Sequence, residues 1–357
     1  MIKSFDEVFE DVTKLGVKIK TDEYHPIGKY QIIDQGQEAV AGYSDLEDGV
    51  FENVPAIVFG DHTRIVKYVD QPFFLGADGV KVLRSRFKDA NYRYLYYALK
   101  SVKIPNTGYN RHFKWLKEAK IYYPNSEEQS KIVSILDGIS SVIEHRQQEL
   151  QKLDELVKAR FVELFGDCKS MVSMNELCSI ITDGTHQPPR FQESGIPFIF
   201  VSNLVGNVVT YNAEKFISED TYAELYKRTP IEIGDLLLST VGSYGHPAVV
   251  TEDRKFLFQR HIAYLKPRHN MVNSFYLHSA LLAPDGQRQI EEKVKGIAQK
   301  TLNLSEIKKI VVPLPTIEEQ NQFEKFVNQI DKSKVAVQKA LDEAQLLFDS
   351  LMQKYFG

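Results

Sequence analysis

The chain has 357 residues, 43% of them hydrophobic and 26% charged, a globular balance with room for two or three domains. No apolar run approaches the roughly 18 residues that span a bilayer, and the first ten residues lack the basic start and apolar run of a secretory signal. The two cysteines, Cys168 and Cys178, fit no metal or redox spacing, so membrane, secreted, disulfide-scaffold and zinc-ribbon classes are excluded and a cytoplasmic protein with reduced thiols is expected.

Net charge is −4, mildly unfavourable for nucleic acid, but its distribution is uneven. Residues 1–61 carry 5 basic and 13 acidic side chains; residues 62–123 carry 13 basic and 4 acidic. A basic stretch of this kind can neutralise phosphates, the alternative being chance clustering on a solvated surface. Within this first segment, residues 54–60, 64–69 and 79–85 read as strands between Gly, Asp and Pro turns, and residues 91–102 as a helix. His62, Thr63 and Arg64 fall at a strand-to-strand turn, with Lys67 and Lys81 beyond it. Tyr109, Asn110, Arg111, His112 and Lys114 set base-reading side chains among aromatics.

Residues 124–166 read as one long helix and align without a gap to residues 315–357, with identities that include Pro124/Pro315, Glu128/Glu319, Gln129/Gln320, Gln147/Gln338 and Phe165-Gly166/Phe356-Gly357. Asn125 and Thr316 are matching N-cap candidates, and the glutamate three residues on suits a capping box. Apolar spacing alternates four and three. In the first copy the seam is Ile132, Leu136, Ile139, Ile143, Arg146, Leu150, Leu153, Val157, Arg160 and Leu164. In the second it is Phe323, Val327, Ile330, Lys334, Val337, Leu341, Ala344, Phe348, Leu351 and Tyr355. A two-helix coiled coil is predicted, with Arg146 and Lys334 as polar register-setting positions; two core helices of one globular domain are the alternative.

The repeat brackets a second mixed α/β segment, giving the plan 1–123 domain, 124–166 helix, 167–314 domain, 315–357 helix. In the second domain, residues 196–201, 235–241, 247–250 and 256–265 read as strands. Residues 274–295 read as a helix broken by Pro284 and Gly286. Its polar groups are Thr185, His186 and Arg190 in a Gly/Pro loop, then Ser202-Asn203, Ser243, Tyr244 and His246, Arg260, and Gln299-Lys300. Such side chains suit phosphates and base edges, and each alone is equally a satisfied turn.

No nucleotide-binding, nucleophile-elbow or metal-ligand motif is present. Glu118-x-Lys120 and Glu291-x-Lys293 have the form found in some nucleases, a tripeptide too common to carry that reading alone. What remains is contact chemistry without catalysis.

The two Pro-x-x-Glu-Glu-Gln helix starts, the Phe-Gly helix ends, the domain-helix-domain-helix order, and the loops Asp183-Gly184-Thr185-His186 and Phe59-Gly60-Asp61-His62-Thr63-Arg64 closely resemble the specificity subunit of Type I restriction–modification systems. The resemblance implies two mixed α/β target-recognition domains separated by two long antiparallel coiled-coil helices in a pseudo-two-fold repeat. It implies a non-catalytic subunit that reads a bipartite double-stranded DNA site. The implied partners are two methyltransferase subunits using S-adenosylmethionine on adenine and restriction subunits using ATP with Mg, in a prokaryotic cytoplasm. No cofactor or metal site is expected in this chain. The first domain lacks the Asp-Gly-Thr-His loop, Lys20-Thr21-Asp22-Glu23 standing near that place, so the two domains are expected to read different sequences. A stand-alone two-domain DNA-binding regulator and a Mg-dependent nuclease are the other readings.

Overall fold

A computed structural model of the chain describes residues 1–296 and 299–357. They form two units, one of residues 1–147 with 339–357 and one of residues 148–338. The divisions fall after Gln147 and Gln338, which are repeat-equivalent. Each unit therefore takes part of both long helices, Ser126–Phe165 and Ile317–Phe356.

In the first unit, β1 (Ile2–Ser4) and a short helix α1 (Phe5–Val8) lead into β2 (Phe9–Asp11), then β3 (Tyr30–Ile33), β4 (Gly42–Ser44), β5 (Ala56–Gly60), β6 (Val66–Val69), β7 (Phe73–Leu75) and β8 (Val80–Ser85). Helices α2 (Tyr92–Lys100) and α3 (Phe113–Lys117) and strand β9 (Lys120–Tyr122) precede the long helix α4 (Ser126–Phe165). The sheets run β2-β8-β5-β6, all antiparallel; β4-β3-β7, with β3 and β7 parallel; and the pair β1-β9. Every residue of β5 is buried because the strand has a core on each face. Ile57 and Phe59 join α2 and α4 residues, while Ala56 and Val58 join Phe73, Leu75 and Val82, as the period of two requires.

The second unit repeats this plan. Strand β10 (Met171–Ser173), α5 (Met174–Leu177), β11 (Cys178–Asp183), β12 (Ile196–Ile199), β13 (Lys215–Ile217), α6 (Glu219–Leu225), β14 (Leu236–Ser239), β15 (Pro247–Val249), β16 (Leu257–Phe258) and β17 (Ile262–Pro267) precede α7 (Ser274–Leu282), α8 (Pro284–Lys293), α9 (Leu304–Ile307), β18 (Val311–Pro313) and α10 (Ile317–Phe356). Its sheets are β11-β17-β14-β15, β13-β12-β16 and β10-β18, with β12 and β16 parallel. Hydrogen bonds repeat as well as strands. The Tyr94 hydroxyl donates to the Tyr122 carbonyl at 2.6 Å, and the Tyr276 hydroxyl to the Pro313 carbonyl at 2.7 Å. Asn91 and Asn273 cap α2 and α7. The buried amides of Gln129 and Gln320 donate to the carbonyls of Pro124 and Pro315. Burial of Cys178 against this core pushes its thiol up to about 12, an inert structural thiol.

Two sequence expectations change and one holds. Residues 256–265 are two strands in two different sheets, because the turn at Gln259–His261 lets the apolar run change sheets. The expected break at Pro284 is present: α7 ends at Leu282, and Pro284 opens α8 at its first turn, where its missing N–H costs nothing. Gly286 lies inside α8, buried against the Ala280 and Leu281 carbonyls, and does not break it.

Both long helices run 40 residues. Of the twenty seam positions, only Leu164 is exposed, at 46%. In the first unit Ile132, Leu136, Ile139 and Ile143 of α4 share a core with Phe348, Leu351 and Tyr355 of α10. In the second, Val157, Phe161 and Phe165 of α4 share one with Phe323 and Val327 of α10, and Lys334 reaches Asp154 at 2.5 Å. Early residues of one helix meet late residues of the other, so the pairing within each unit is antiparallel. The Thr316 cap is a full capping box: the Glu319 amide donates to Thr316 Oγ1, and the Thr316 amide to the Glu319 carboxylate. At Asn125 only half of the box forms, since Glu128 accepts from the Tyr122 hydroxyl instead.

Candidate nucleic-acid interface

In the first unit, three loops that leave strand ends and the loop between α2 and α3 meet around Gln35. Its Nε2 donates to the Asp78 carbonyl at 2.9 Å, its Oε1 accepts from the His62 amide at 3.1 Å, and its own carbonyl accepts from Thr63 Oγ1 at 2.6 Å. Gly79, at φ +94°, leaves room for this side chain; a Cβ there would come within 2.7 Å of Gln35 Oε1. The fourth loop joins through Asp61, whose carbonyl accepts from the His112 amide and whose carboxylate accepts from the Phe113 amide at 2.8 Å.

This framework decides which candidates face outward. Tyr109 is 85% exposed and stacks flat on His62, with ring centroids 4.5 Å apart. Thr63, Asn110, Arg111 and Lys114 are exposed, Lys114 lying over the Trp115 ring. Arg64 adopts φ +65° in the β5–β6 turn and donates to the Ile104 carbonyl at 3.4 Å. Lys81 is half-buried between Asp11 and the Phe113 ring. Two candidates turn inward. Lys67 is buried and donates to Asp34 and to the Glu38 carbonyl, and its burial holds its pKa below the ordinary value. His112 is fully buried, its ring nitrogens at the Asp61 carbonyl and Thr107 Oγ1. The basic excess of residues 62–123 is also partly spent within the protein: Arg93 pairs with Asp137, and Arg86 Nε donates to the Asp6 and Phe9 carbonyls.

In the second unit, the corresponding strand ends carry the Asp183–Arg190 loop. Gly184 lies so close to the Phe258 and Gln259 carbonyls that a Cβ would come within 2.3 and 2.5 Å of them. Thr185 is tied by backbone bonds to Phe258 and Arg260, while His186 and Arg190 are exposed. A cleft of about 270 Å³ is lined by Asp183, Thr240, Arg260, His261, Gln299 and Asn303. Burial, and then the neighbouring Arg260, lower the His261 pKa. At its rim Lys300 bridges Glu291 and the Tyr244 hydroxyl, so Glu291 serves a surface network. His246 has both ring nitrogens engaged, by Asn207 and Ser243. Asn203 is buried in a 3₁₀ turn, its amide spent on Phe200, Thr210 and Asn212, while Ser202 beside it is exposed.

Sequence position alone sets the first-domain counterpart of the Asp-Gly-Thr-His loop near residues 20–23. Strand order places it at Asp11-Val12-Thr13, because β2 and β11 both end on an aspartate with a threonine two residues on. Asp11 accepts from the Thr13 amide and hydroxyl and pairs with Lys81. Residues that the sequence reading passed over are Gln35 and Arg228; the latter binds Asp183 at 2.6 Å. Among the described residues, no group of three or more His, Cys, Asp or Glu side chains gathers to hold a metal, and no helix is long and apolar enough to cross a membrane.

Comparison with known proteins adds a family. The model described as Type I restriction modification DNA specificity domain matches residues 1–155 and again 170–344. The chain is 32% identical over 177 residues to the Type I restriction enzyme EcoBI specificity subunit of Escherichia coli, covering 48% of this chain and 37% of that one. It is 21% identical over 356 residues to the EcoR124I/EcoR124II specificity subunit of Escherichia coli, covering 90% and 84%. Its fold is similar to the crystal structure of a Type-I restriction-modification system S subunit from M. genitalium, with TM-score 0.53 and 18% identity, covering 100% and 96%. The chain thus spans well under two thirds of the EcoBI subunit's length and most of the EcoR124I subunit's.

Proposed function

The chain belongs to the Type I restriction modification DNA specificity family, whose domain it carries twice, and from that premise we propose that it reads a bipartite, asymmetric DNA site, one half with each unit. The observation that carries this reading is the duplicated sheet plan ending in two loop sets of different chemistry. The first presents Thr63, Tyr109, Asn110 and Arg111 around Gln35; the second presents His186, Arg190, Arg260 and Gln299 around Asp183. Same scaffold and different loops is what two independent readers of unlike half-sites require. The acidic helices are left for protein partners: residues 124–166 and 315–357 hold net charges of −3 and −2, unsuited to phosphate. Those partners are two methyltransferase subunits carrying S-adenosylmethionine and, through them, restriction subunits that use ATP and Mg. This chain contributes recognition and no bond-making chemistry.

Half-specific loss tests the proposal. Arg111→Ala should relax or weaken the first half-site, and His186→Ala or Arg190→Ala the second, by about 1–3 kcal/mol at a position read by a base contact. Each should leave the other half's base preferences intact when binding is measured on randomised duplexes. Equal loss in both halves from every variant would show that the units do not read independently.

A further inference from the structure

We propose that Arg228 reads a base in the second half-site and that Asp183 is the positioning residue that aims it. This rests on the DNA-reading function proposed above. Arg228 lies outside every polar loop that the sequence marks, beyond the end of α6. Its backbone is braced: the Arg228 amide donates to the Leu225 carbonyl at 3.1 Å, Thr229 is buried, and the Tyr264 hydroxyl donates to the Pro230 carbonyl at 2.9 Å. The guanidinium reaches Asp183 through one Nη2–Oδ1 bond of 2.6 Å and stays half exposed. The second carboxylate oxygen of Asp183 holds His186 Nε2 at 2.8 Å. Asp183 itself is largely shielded, with 18% of its side chain accessible, and it also lines the cleft that holds Arg260 and Gln299.

One shielded carboxylate therefore holds Arg228 and His186 at the strand-end loops, and Arg260, which lines the same cleft, adds a second guanidinium. A guanidinium bound by one nitrogen keeps its remaining donors in a fixed plane. That fork matches guanine O6 and N7 in the major groove in one fixed plane, a geometry that a lysine ammonium, a point charge on a flexible stem, does not hold. A phosphate can take the same fork, so the two contacts are separated by motif readout and by salt dependence. The arrangement also assigns a role to the Asp-Gly-Thr-His loop: Asp183 aims, Gly184 permits the close backbone approach, and His186 completes the carboxylate's shell.

The test uses the full chain with the methyltransferase subunits of its own system, reading the methylated motif and binding at several salt concentrations. Arg228→Lys and Arg228→Ala should both lose about ten- to a hundredfold discrimination at one position of the second half-site, with the first half unchanged. Arg228→Lys should keep the salt dependence. Asp183→Asn should relax the same position more weakly. The assignment is overturned where Arg228→Lys retains the whole motif while Arg228→Ala lowers affinity and cuts the salt slope by about one, which marks a phosphate contact. An unaltered motif in all three variants, or loss spread over both halves, overturns it equally. A wild-type complex with no bipartite motif would instead remove the DNA-reading proposal, whatever the variants do.

Discussion

Gln35 shows how much a single polar side chain organises. It joins the loops of residues 34–37, 61–64 and 76–79 through two side-chain bonds and its own carbonyl. Gln35→Ala should lower stability by about 1–2 kcal/mol, two net hydrogen bonds' worth, and blur the first half-site while sparing the second. Chemical denaturation together with selection on randomised duplexes checks both parts, and intact first-half selectivity would contradict the keystone role. Residue types marked the turn at residues 62–64 as a place where polar groups collect, and passed over Gln35. They could not tell which atoms are already spent. Lys67, His112 and Asn203 look like DNA contacts in sequence and are committed inward, whereas Arg228 looks like an ordinary surface residue and is held by Asp183. Hydrogen-bond satisfaction is a property of the folded neighbourhood and leaves no periodic trace.

The long helices were the most legible elements, because a seam of four-three spacing over 40 residues has few other interpretations. The exception at Leu164 has a cause. Near the end of α4 the aromatic pair Phe161 and Phe165 packs on Tyr276 of α7 as well as on Phe323 of α10, so the domain core takes the helix face that a strict heptad would have assigned to Leu164. Phe323→Ala should therefore cost about 3–5 kcal/mol, read from the denaturant midpoint, while Leu164→Ala should cost well under 1. Thr316→Ala should cost about 0.5–2 kcal/mol through the lost cap. The capping carboxylates also carry a pH signature. Hydrogen bonds from Ser4, Ser173 and Thr316 hold Glu7, Glu176 and Glu319 below the ordinary 4.5. A lowered folded value gives stability that is present above the unfolded pKa and is lost as pH falls through the folded one. Glu319→Gln should accordingly flatten the acid-side decline in unfolding midpoint below about pH 4.5, and an unchanged slope would argue against the box. The short strands of 2–6 residues were harder to read: β7, β9, β13 and β16 offer too few positions to show alternation.

At the scale of the whole chain, the sequence repeat is plainest in the helices, yet the sheets repeat strand for strand. The strand sequences differ between the two copies, yet β5 and β14 both keep a core on each face, which many apolar sets satisfy. The helices are pinned instead by their caps, their seam and the Gln129/Gln320 amides. On the proposed function, helix length sets the gap between half-sites: 40 residues at 1.5 Å each give ~60 Å. Four residues inserted after both Gln147 and Gln338 add ~6 Å and keep the seam nearly in phase, so the gap should widen by about two base pairs with both half-sites unaltered. Two-residue insertions should abolish function, since the apolar stripe turns away from its partner. The most direct test of the central claim is genome-wide methylation mapping in a host that carries this chain with its partner subunits. Two independent readers on one repeated scaffold predict adenine methylation at a split motif, with two unlike halves, a fixed unspecified gap and both strands marked. A single contiguous motif, or a methylation pattern unchanged when the chain is deleted, would contradict it.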